Sequence, residues 1–168
     1  MRWSPPVRLM DGCWRAVYRI GFRLARLWWW LLNPDHHGVL IAIWLDGRIL
    51  AIRQSYRSDP TWPGGGLHRG EDPREAACRE LAEEVGLVVG PDELIPARRM
   101  IIDWDFRRDH VSVFELHLKA PPLLMLDNRE VVGAQFVEPR ALLTASRVSP
   151  IIRAHLEALG YASPPTTV

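Results

Sequence analysis

The sequence predicts an α/β fold, because a strand hairpin is followed by a strongly marked helix and then by further strands. Residues 38–45 and 48–54 are apolar, strand-like runs around Asp46-Gly47, a dipeptide typical of a two-residue hairpin turn. Residues 72–86 carry the start and stop signals of a helix. The 168 residues are enough for one domain with a buried core, and 48% of them are hydrophobic, as in a globular chain.

The first element predicted along the chain is a helix over residues 13–32, which Asn33-Pro34 should end. At 100° per residue, one side of this helix carries four arginines, Arg15, Arg19, Arg23 and Arg26. The opposite side carries large apolar residues, namely Trp14, Val17, Leu24, Trp28, Leu31 and Leu32.

Arginines near the middle of this helix argue against a membrane span, because each would cost about 3 kcal/mol at the bilayer centre. The apolar side is still expected to be buried, and three surfaces could bury it: a membrane interface, a second copy of the chain, or the chain's own domain. We therefore divide the chain into a basic, tryptophan-rich arm over residues 1–34 and a domain over residues 35–168.

The net charge of +1 conceals a difference between these two parts. Residues 1–32 contain six arginines and one acid, Asp11, whereas the rest of the chain contains fifteen basic and nineteen acidic residues. A mildly acidic domain argues against a nucleic-acid groove across it. Because only Cys13 and Cys78 are present, without a CxxC motif, we expect neither a disulfide framework nor a zinc site. This favours a cytoplasmic chain, either free or peripheral at the inner face of a membrane.

The helix after the hairpin is marked at both ends. Asp72 suits the N-cap, Pro73 suits the first helical position, Glu75 would complete a capping box, and Gly86 suits the C-terminal end. The helical period predicts an apolar stripe toward the core, made of Cys78, Leu81, Ala82 and Val85.

Further strands are predicted over residues 98–103, 110–118 and 132–137, followed by a helix over residues 149–159. The last seven residues, 162–168, are predicted to fray.

Three carboxylates, Glu80, Glu83 and Glu84, are predicted to share the face of the helix opposite its apolar stripe. Carboxylates at these spacings repel one another, and only Arg79 is adjacent to relieve the repulsion. A hard divalent cation such as Mg²⁺, which takes oxygen ligands, would resolve it. The alternative for three glutamates taken alone is a solvated acidic face.

The surrounding pattern favours the metal site over a solvated face. From Gly65 the sequence follows G-x5-E-x7-R-E-L-x-E-E-x-G-L, and all nine specified positions match. The pattern resembles the Nudix box, the signature of the Nudix hydrolase family, and the resemblance extends over about residues 38–160. It implies an α/β/α sandwich around a mixed sheet, preceded here by the N-terminal helix. The matched residues are Gly65, Glu71, Arg79, Glu80, Leu81, Glu83, Glu84, Gly86 and Leu87.

The resemblance also implies roles for individual residues. Glu80, Glu83 and Glu84 would hold Mg²⁺ or Mn²⁺, and the Gly64 carbonyl would assist. Arg79 would orient the glutamates and pair with Glu71. Some members add a glutamate six residues before an aromatic strand residue, and Glu130 stands in that relation to Phe136. The alternative for Glu130 is a solvated loop carboxylate.

The implied activity is metal-dependent hydrolysis of a diphosphate bond in a nucleoside diphosphate linked to another moiety, so the partner would be a small nucleotide. Two alternatives remain open: a nucleotide-binding module or sensor without turnover, and a protein whose main role is membrane or partner docking through the arm. The general base is Glu80 or Glu84, or else one of Asp103, Asp105 and Asp109 in the charged turn.

Other residues near the predicted site have less specific roles. Arg57, in the loop after the hairpin, suits a phosphate of the substrate, whereas Arg53 is expected to be structural. Core positions are favoured over base stacking for Trp62 and Trp104. The pair His36-His37 is predicted to be a solvated linker, and His110 a residue at the edge of the sheet.

Overall fold

The computed structural model describes residues 9–32, 34–57, 59–104, 106–144 and 148–161. Its helices are α1 (Leu9–Leu32), α2 (Pro73–Val85), α3 (Pro139–Leu143) and α4 (Pro150–Ala158), with a 3-10 turn at Pro91–Glu93. Its strands are β1 (Asp35–Leu45), β2 (Arg48–Gln54), β3 (Ile95–Trp104), β4 (Arg107–His117) and β5 (Val131–Val137).

The five strands form one mixed sheet in the order β3-β4-β1-β2-β5. β1 pairs in parallel with β4, and the other neighbours are antiparallel. Alternate residues of the strands face two separate cores. Leu50 and Ile52 belong to the core beneath α2, whereas Ile49 and Ala51 belong to the core beneath α3 and α4. The predicted α/β/α sandwich with a mixed sheet is therefore confirmed.

The two strands of the hairpin separate soon after their turn, and the loop of residues 61–67 fills the gap. β1 and β2 pair only at Trp44–Ile49 and Leu45–Arg48. Beyond these pairs, β1 bonds instead to the loop, through Val39 N to Gly65 O and Ile41 N to Pro63 O, each 2.9 Å. The glycine-rich loop is thus held as part of the sheet, directly beside the N-terminal half of β1.

Helix α2 begins and ends where the sequence predicts. Asp72 caps it, but its carboxylate accepts from Arg74 N at 2.8 Å, one residue earlier than in a capping box. Gly86 ends it in the left-handed conformation, with φ of 72°.

The face of α2 that meets the sheet differs from the predicted stripe. Leu81 and Val85 are buried and Cys78 is half-buried, but Ala82 is exposed and Ala77 lies in the core instead. At 100° per residue, Ala77 lies 40° from Leu81 and Ala82 lies 100° away, so a buried arc centred near Leu81 includes the first and excludes the second. The same rotation brings Glu84 toward the sheet, and its predicted position opposite the core is wrong.

Several strands are longer than predicted because pairing extends them. β1 begins at Asp35, so His36 and His37 are strand residues and the predicted linker is wrong. His110 lies inside β4, between β3 and β1, so it is not at an edge. The sequence analysis also missed α3 and the 3-10 turn, whereas residues 162–168 lie outside the described residues.

Helix α1 starts four residues earlier than predicted and ends at Leu32 as expected. Two of its arginines bond to the domain: Arg15 Nε donates to Asn128 O at 2.9 Å and Arg19 Nε donates to Ser55 O at 3.2 Å. Its apolar side turns away and is exposed. No helix within the described residues is long and apolar enough to cross a membrane.

Candidate active site

A cleft of about 410 Å³ lies between α1, α2, the loop of residues 61–67 and the segment before β5. Three of the predicted metal-binding glutamates, Glu80, Glu83 and Glu130, line it, as does Gly64. The structure therefore brings two glutamates of the box, Glu80 and Glu83, and the more distant Glu130 to one cavity.

Arg79 links the residues around this cleft. Its Nε and Nη2 donate to the two carboxylate oxygens of Glu71 at 2.9 and 3.0 Å, a fork-on-fork pair. Its Nη1 donates to Glu80 Oε1 at 2.8 Å and reaches Glu83 Oε2 at 3.5 Å, and its Nη2 also donates to Gly66 O at 3.0 Å. One guanidinium thus fixes the loop, the loop–helix junction and the first carboxylate of the cluster relative to one another.

Glu71 is held ionised by this arrangement. Its hydrogen bonds from Arg79 and from the His68 amide, the latter 2.7 Å long, lower its pKa to about 2. Glu71 therefore carries a full charge at neutral pH, and it acts as the counter-ion of Arg79.

Glu84 is the most buried carboxylate of the cluster, with 5% of its surface exposed. Its Oε2 accepts from Gly64 N at 2.9 Å, which ties α2 to the glycine-rich loop. Burial raises the pKa of Glu84 well above its ordinary value, and the nearby charges of Glu130 and Glu80 raise it further. The pKa of Glu80 is also raised, mainly by burial. Ionising these groups together therefore costs free energy in the protein alone.

Two glycines of the loop are required by close packing. Gly64 has φ of 150°, and a Cβ there would collide with Val39 O in β1. A Cβ at Gly65 would collide with the Glu80 carboxylate. The loop therefore needs residues without side chains here, because the carboxylate of Glu80 lies where a side chain at Gly65 would be.

Glu130 is positioned by its own loop and by one tyrosine. Asp127 accepts from the amides of Glu130 and Val131 at 3.0 and 2.8 Å, which shapes the turn. Tyr56 Oη donates to Glu130 Oε1 at 2.6 Å. Burial raises the pKa of Glu130, with the negative charge of Asp127 adding to the shift. Glu130 is therefore half-buried at the cleft, and the solvated-loop alternative does not describe its surroundings.

The donor set of the cleft suits a hard divalent cation. All candidate ligands are carboxylate or backbone oxygens, which Mg²⁺ and Mn²⁺ prefer, and their mutual repulsion would be relieved by a cation. Within the part of the chain that the structure describes, however, no three acidic, histidine or cysteine side chains already converge on one point. Glu80, Glu84 and Glu130 each have one oxygen engaged by Arg79, Gly64 and Tyr56 respectively.

Among the alternative general bases, Asp109 is the one that the structure places at the cleft. It is only 3% exposed, and its Oδ1 lies 3.0 Å from Nδ1 of His36, which also lines the cleft. Asp103 is exposed, 3.6 Å from Arg108 Nε. Asp105 lies outside the described residues.

Aromatic residues that the sequence analysis did not assign to the site complete the cleft. Phe22 and Trp29 of α1 line it beside Tyr56, and the rings of Phe22 and Tyr56 are 4.8 Å apart. No local signal reveals this, because it depends on where α1 packs. Arg57 lines the same cleft, with its guanidinium 4.8 Å from the centre of the Phe22 ring.

The remaining residues considered in the sequence are Trp62, Trp104 and Arg53. Trp62 is buried against His155, 5.3 Å between ring centres, so its core position is confirmed, although it also borders the cleft. The side chain of Trp104 lies outside the description. Arg53 lies beside Gly133 of β5, away from the cleft lining, as its structural assignment predicts.

Comparison with known proteins adds to this geometry. The family model described as NUDIX domain matches residues 34–158. The chain is similar to an RNA pyrophosphohydrolase of Rhizobium meliloti (strain 1021), with 46% identity over 48 residues, 27% of this chain and 29% of that protein. It is also similar to a MutT-like protein of Streptomyces ambofaciens, with 42% identity over 67 residues, 37% of this chain and 42% of that protein.

Among solved structures, the fold resembles that of the E. coli dihydroneopterin triphosphate pyrophosphohydrolase. The TM-score is 0.63 at 20% identity, covering 73% of this chain and 92% of the other. At this identity the likeness concerns the fold alone. The matched segments span less than half the length of the two curated relatives.

Proposed function

Because the chain belongs to the NUDIX domain family, we propose that it is a divalent-metal-dependent hydrolase that cleaves a diphosphate bond in a nucleoside diphosphate linked to another moiety. The observation that carries the proposal is a set of four neighbouring carboxylates. Glu80, Glu83 and Glu130 line one cleft, and the pKa of the buried Glu84 is raised in part by the charges of Glu130 and Glu80. Arg79 contacts two of the four, Glu80 and Glu83. Such a concentration of negative charge is unfavourable in the protein alone and is suited to a cation shared with phosphates.

Members of this family generally use divalent metal ions, and the four glutamates together with the Gly64 carbonyl would hold Mg²⁺ or Mn²⁺ here. When bound, the ion neutralises phosphate charge and lowers the pKa of a coordinated water. Arg79 acts as a positioning residue in this scheme. Its bonds to Glu71 and to Gly66 O hold it in place, and its bond to Glu80 orients that carboxylate.

A protein group must also accept the proton of the attacking water. Burial raises the pKa of both Glu80 and Glu84, which increases their affinity for a proton. Asp109 faces the same cleft beside His36. We propose one of these three carboxylates as the general base, and Asp103 is disfavoured because it is exposed beside Arg108.

The remainder of the cleft suits the nucleotide part of a small substrate. Phe22, Trp29 and Tyr56 offer aromatic surface for a base, and Arg57 offers a guanidinium for a phosphate. One curated relative is named as an RNA pyrophosphohydrolase and one protein of the same fold as a triphosphate pyrophosphohydrolase, so RNA and triphosphates both belong in the test.

The proposal is tested by incubating the whole chain with nucleoside triphosphates, dinucleotides, nucleotide sugars and 5′-triphosphorylated RNA, with Mg²⁺ or Mn²⁺ added. We expect one class to be cleaved at its diphosphate linkage, and cleavage to stop when a chelator is added. Nucleotide binding without any cleavage across the panel would contradict hydrolysis and support the sensor alternative instead.

A further inference from the structure

The outward side of α1 carries nine exposed large hydrophobic residues. Its exposed residues leave between 43% and 62% of their surface open to solvent. Soluble monomers rarely leave a continuous apolar patch of this kind uncovered. The residues are Trp14, Val17, Ile20, Leu24, Leu27, Trp28, Trp30, Leu31 and Leu32.

The inward side of the same helix is already occupied by the domain. Arg15 and Arg19 bond to backbone carbonyls, and the ring of Tyr18 stacks 6.2 Å from that of Tyr56. Asp11 faces Arg129, 4.0 Å away. The domain's own surface therefore binds the polar and aromatic side of α1, and it does not cover the apolar side.

The width of the apolar side indicates the kind of surface that covers it. At 100° per residue, it extends from Trp30 through Leu24 to Trp14, an arc of about 200°. The spacing of residues 13, 17, 20, 24, 27 and 31 would also fit the seam of a two-helix coiled coil. Such a seam is much narrower, and its flanks normally carry opposite charges. In α1 the flanks carry Trp14 and Trp28 on one side and Arg23 and Trp30 on the other, so they lack the paired opposite charges that a coiled coil uses.

The charges of the helix match an anionic surface. Asp11 is its only acidic residue, and it faces the domain. Arg19 and Arg23 are exposed, and Arg23 lies just inside the edge of the apolar arc, beside Trp30. A helix with tryptophan and leucine on one side and arginine on the other is typical of elements that lie in the plane of a membrane interface.

We propose that the outward side of α1 docks this protein on an anionic membrane surface, with the helix parallel to the bilayer and the domain held on its polar side. The polar side of an interfacial helix faces away from the lipid, and here the domain already occupies that position. Because Phe22 and Trp29 of the same helix line the cleft, docking would hold the cleft close to the membrane. This proposal does not depend on hydrolysis.

The test is co-sedimentation of the whole chain with phosphatidylcholine vesicles, with and without phosphatidylglycerol. We expect binding to the anionic vesicles, reduced by salt and weak on the neutral ones. The double variant Leu24→Glu/Trp28→Glu should bind the anionic vesicles at least about tenfold more weakly, because it places two negative charges in the apolar arc.

A matched control carries the same change on exposed apolar residues of the domain, Val88→Glu/Leu123→Glu. It should bind as the unchanged chain does, and both variants should keep the melting temperature because the altered side chains are exposed. Failure of the unchanged chain to bind anionic vesicles would overturn the proposal, as would equal binding by the α1 variant. A dimer in sedimentation equilibrium that becomes a monomer in the α1 variant, without vesicle binding, would assign the surface to a second copy.

Discussion

Helices α1 and α2 are both amphipathic, but they present opposite sides to the domain. α2 buries Leu81 and Val85 against the sheet and turns Glu80 and Glu83 to the cleft. α1 turns Arg15 and Arg19 to the domain and leaves its apolar side exposed. The periodicity of a helix therefore shows which residues share a side, but not which side the domain binds. That choice depends on the partners available on the domain, here carbonyl oxygens and the Tyr56 ring.

Truncating one leucine in each helix tests this difference between α1 and α2. Leu81→Ala should lower the free energy of unfolding by about 2–5 kcal/mol, because it opens a cavity in a fully buried core. Leu24→Ala should change it by less than about 0.5 kcal/mol, because the side chain is exposed. Urea denaturation of both variants measures the difference, and equal losses would mean that α1 packs its apolar side on the domain.

A second prediction links α1 to the cleft through Tyr56 and Glu130. Glu130→Ala should raise the metal concentration needed for half-maximal activity about tenfold or more, without lowering the melting temperature in chelator. Tyr56→Phe keeps the ring that packs on Phe22 but removes the hydroxyl, so it should shift the same titration by a smaller factor. An unchanged metal titration in Glu130→Ala would show that Glu130 is not a ligand of the metal.

The smallest expected effect is a pH dependence of stability in metal-free buffer. Burial raises the folded pKa of Glu84, so the folded state holds its proton more tightly than the unfolded state does. Stability from this group is present below the ordinary glutamate pKa and is lost as pH rises through the raised value. Burial lowers the pKa of His155, and this shift changes stability with pH in the opposite direction. The effect of Glu84 is therefore measured as the difference in stability between the unchanged chain and a variant that lacks this carboxylate.

We therefore compare the unchanged chain with Glu84→Gln, which cannot ionise at that position. The melting temperature of the unchanged chain, relative to the variant, should fall as pH rises from about 5 to about 8. A constant difference across that range would show that Glu84 titrates alike in the folded and unfolded states.

Sequence alone predicts the parts of this molecule that local signals specify. The limits of α2 follow from Asp72, Pro73 and Gly86, and β2 has the predicted bounds, because caps and a tight turn act within a few residues. The spacing of Glu80, Glu83 and Glu84 predicts the candidate site in the same way, because these residues are close together in the sequence. The pairing of β1 with β4 sets His36 opposite Asp109, and no local pattern contains that register.

Tertiary packing decides the remaining differences. Ala82 fits an apolar stripe by type, but the rotation of α2 about its axis is set by the sheet beneath it, which selects Ala77. α3 is only five residues long, too short for a periodic signal. Phe22 reaches the cleft because α1 packs across it, which the spacing of its apolar residues does not specify.

The proposed carboxylate–metal site is best tested by the activity and stability of Glu84→Gln, with Glu75→Gln as control. Glu75 is an exposed carboxylate in the first turn of the same helix. With Mg²⁺ and the substrate class found in the screen, Glu84→Gln should lose about 100-fold or more of kcat, whereas Glu75→Gln should keep its rate. Without metal, Glu84→Gln should melt no lower than the unchanged chain, because the amide oxygen still accepts from Gly64 N and no buried charge remains. Full activity in Glu84→Gln, or activity that persists in chelator, would contradict the proposed carboxylate–metal site.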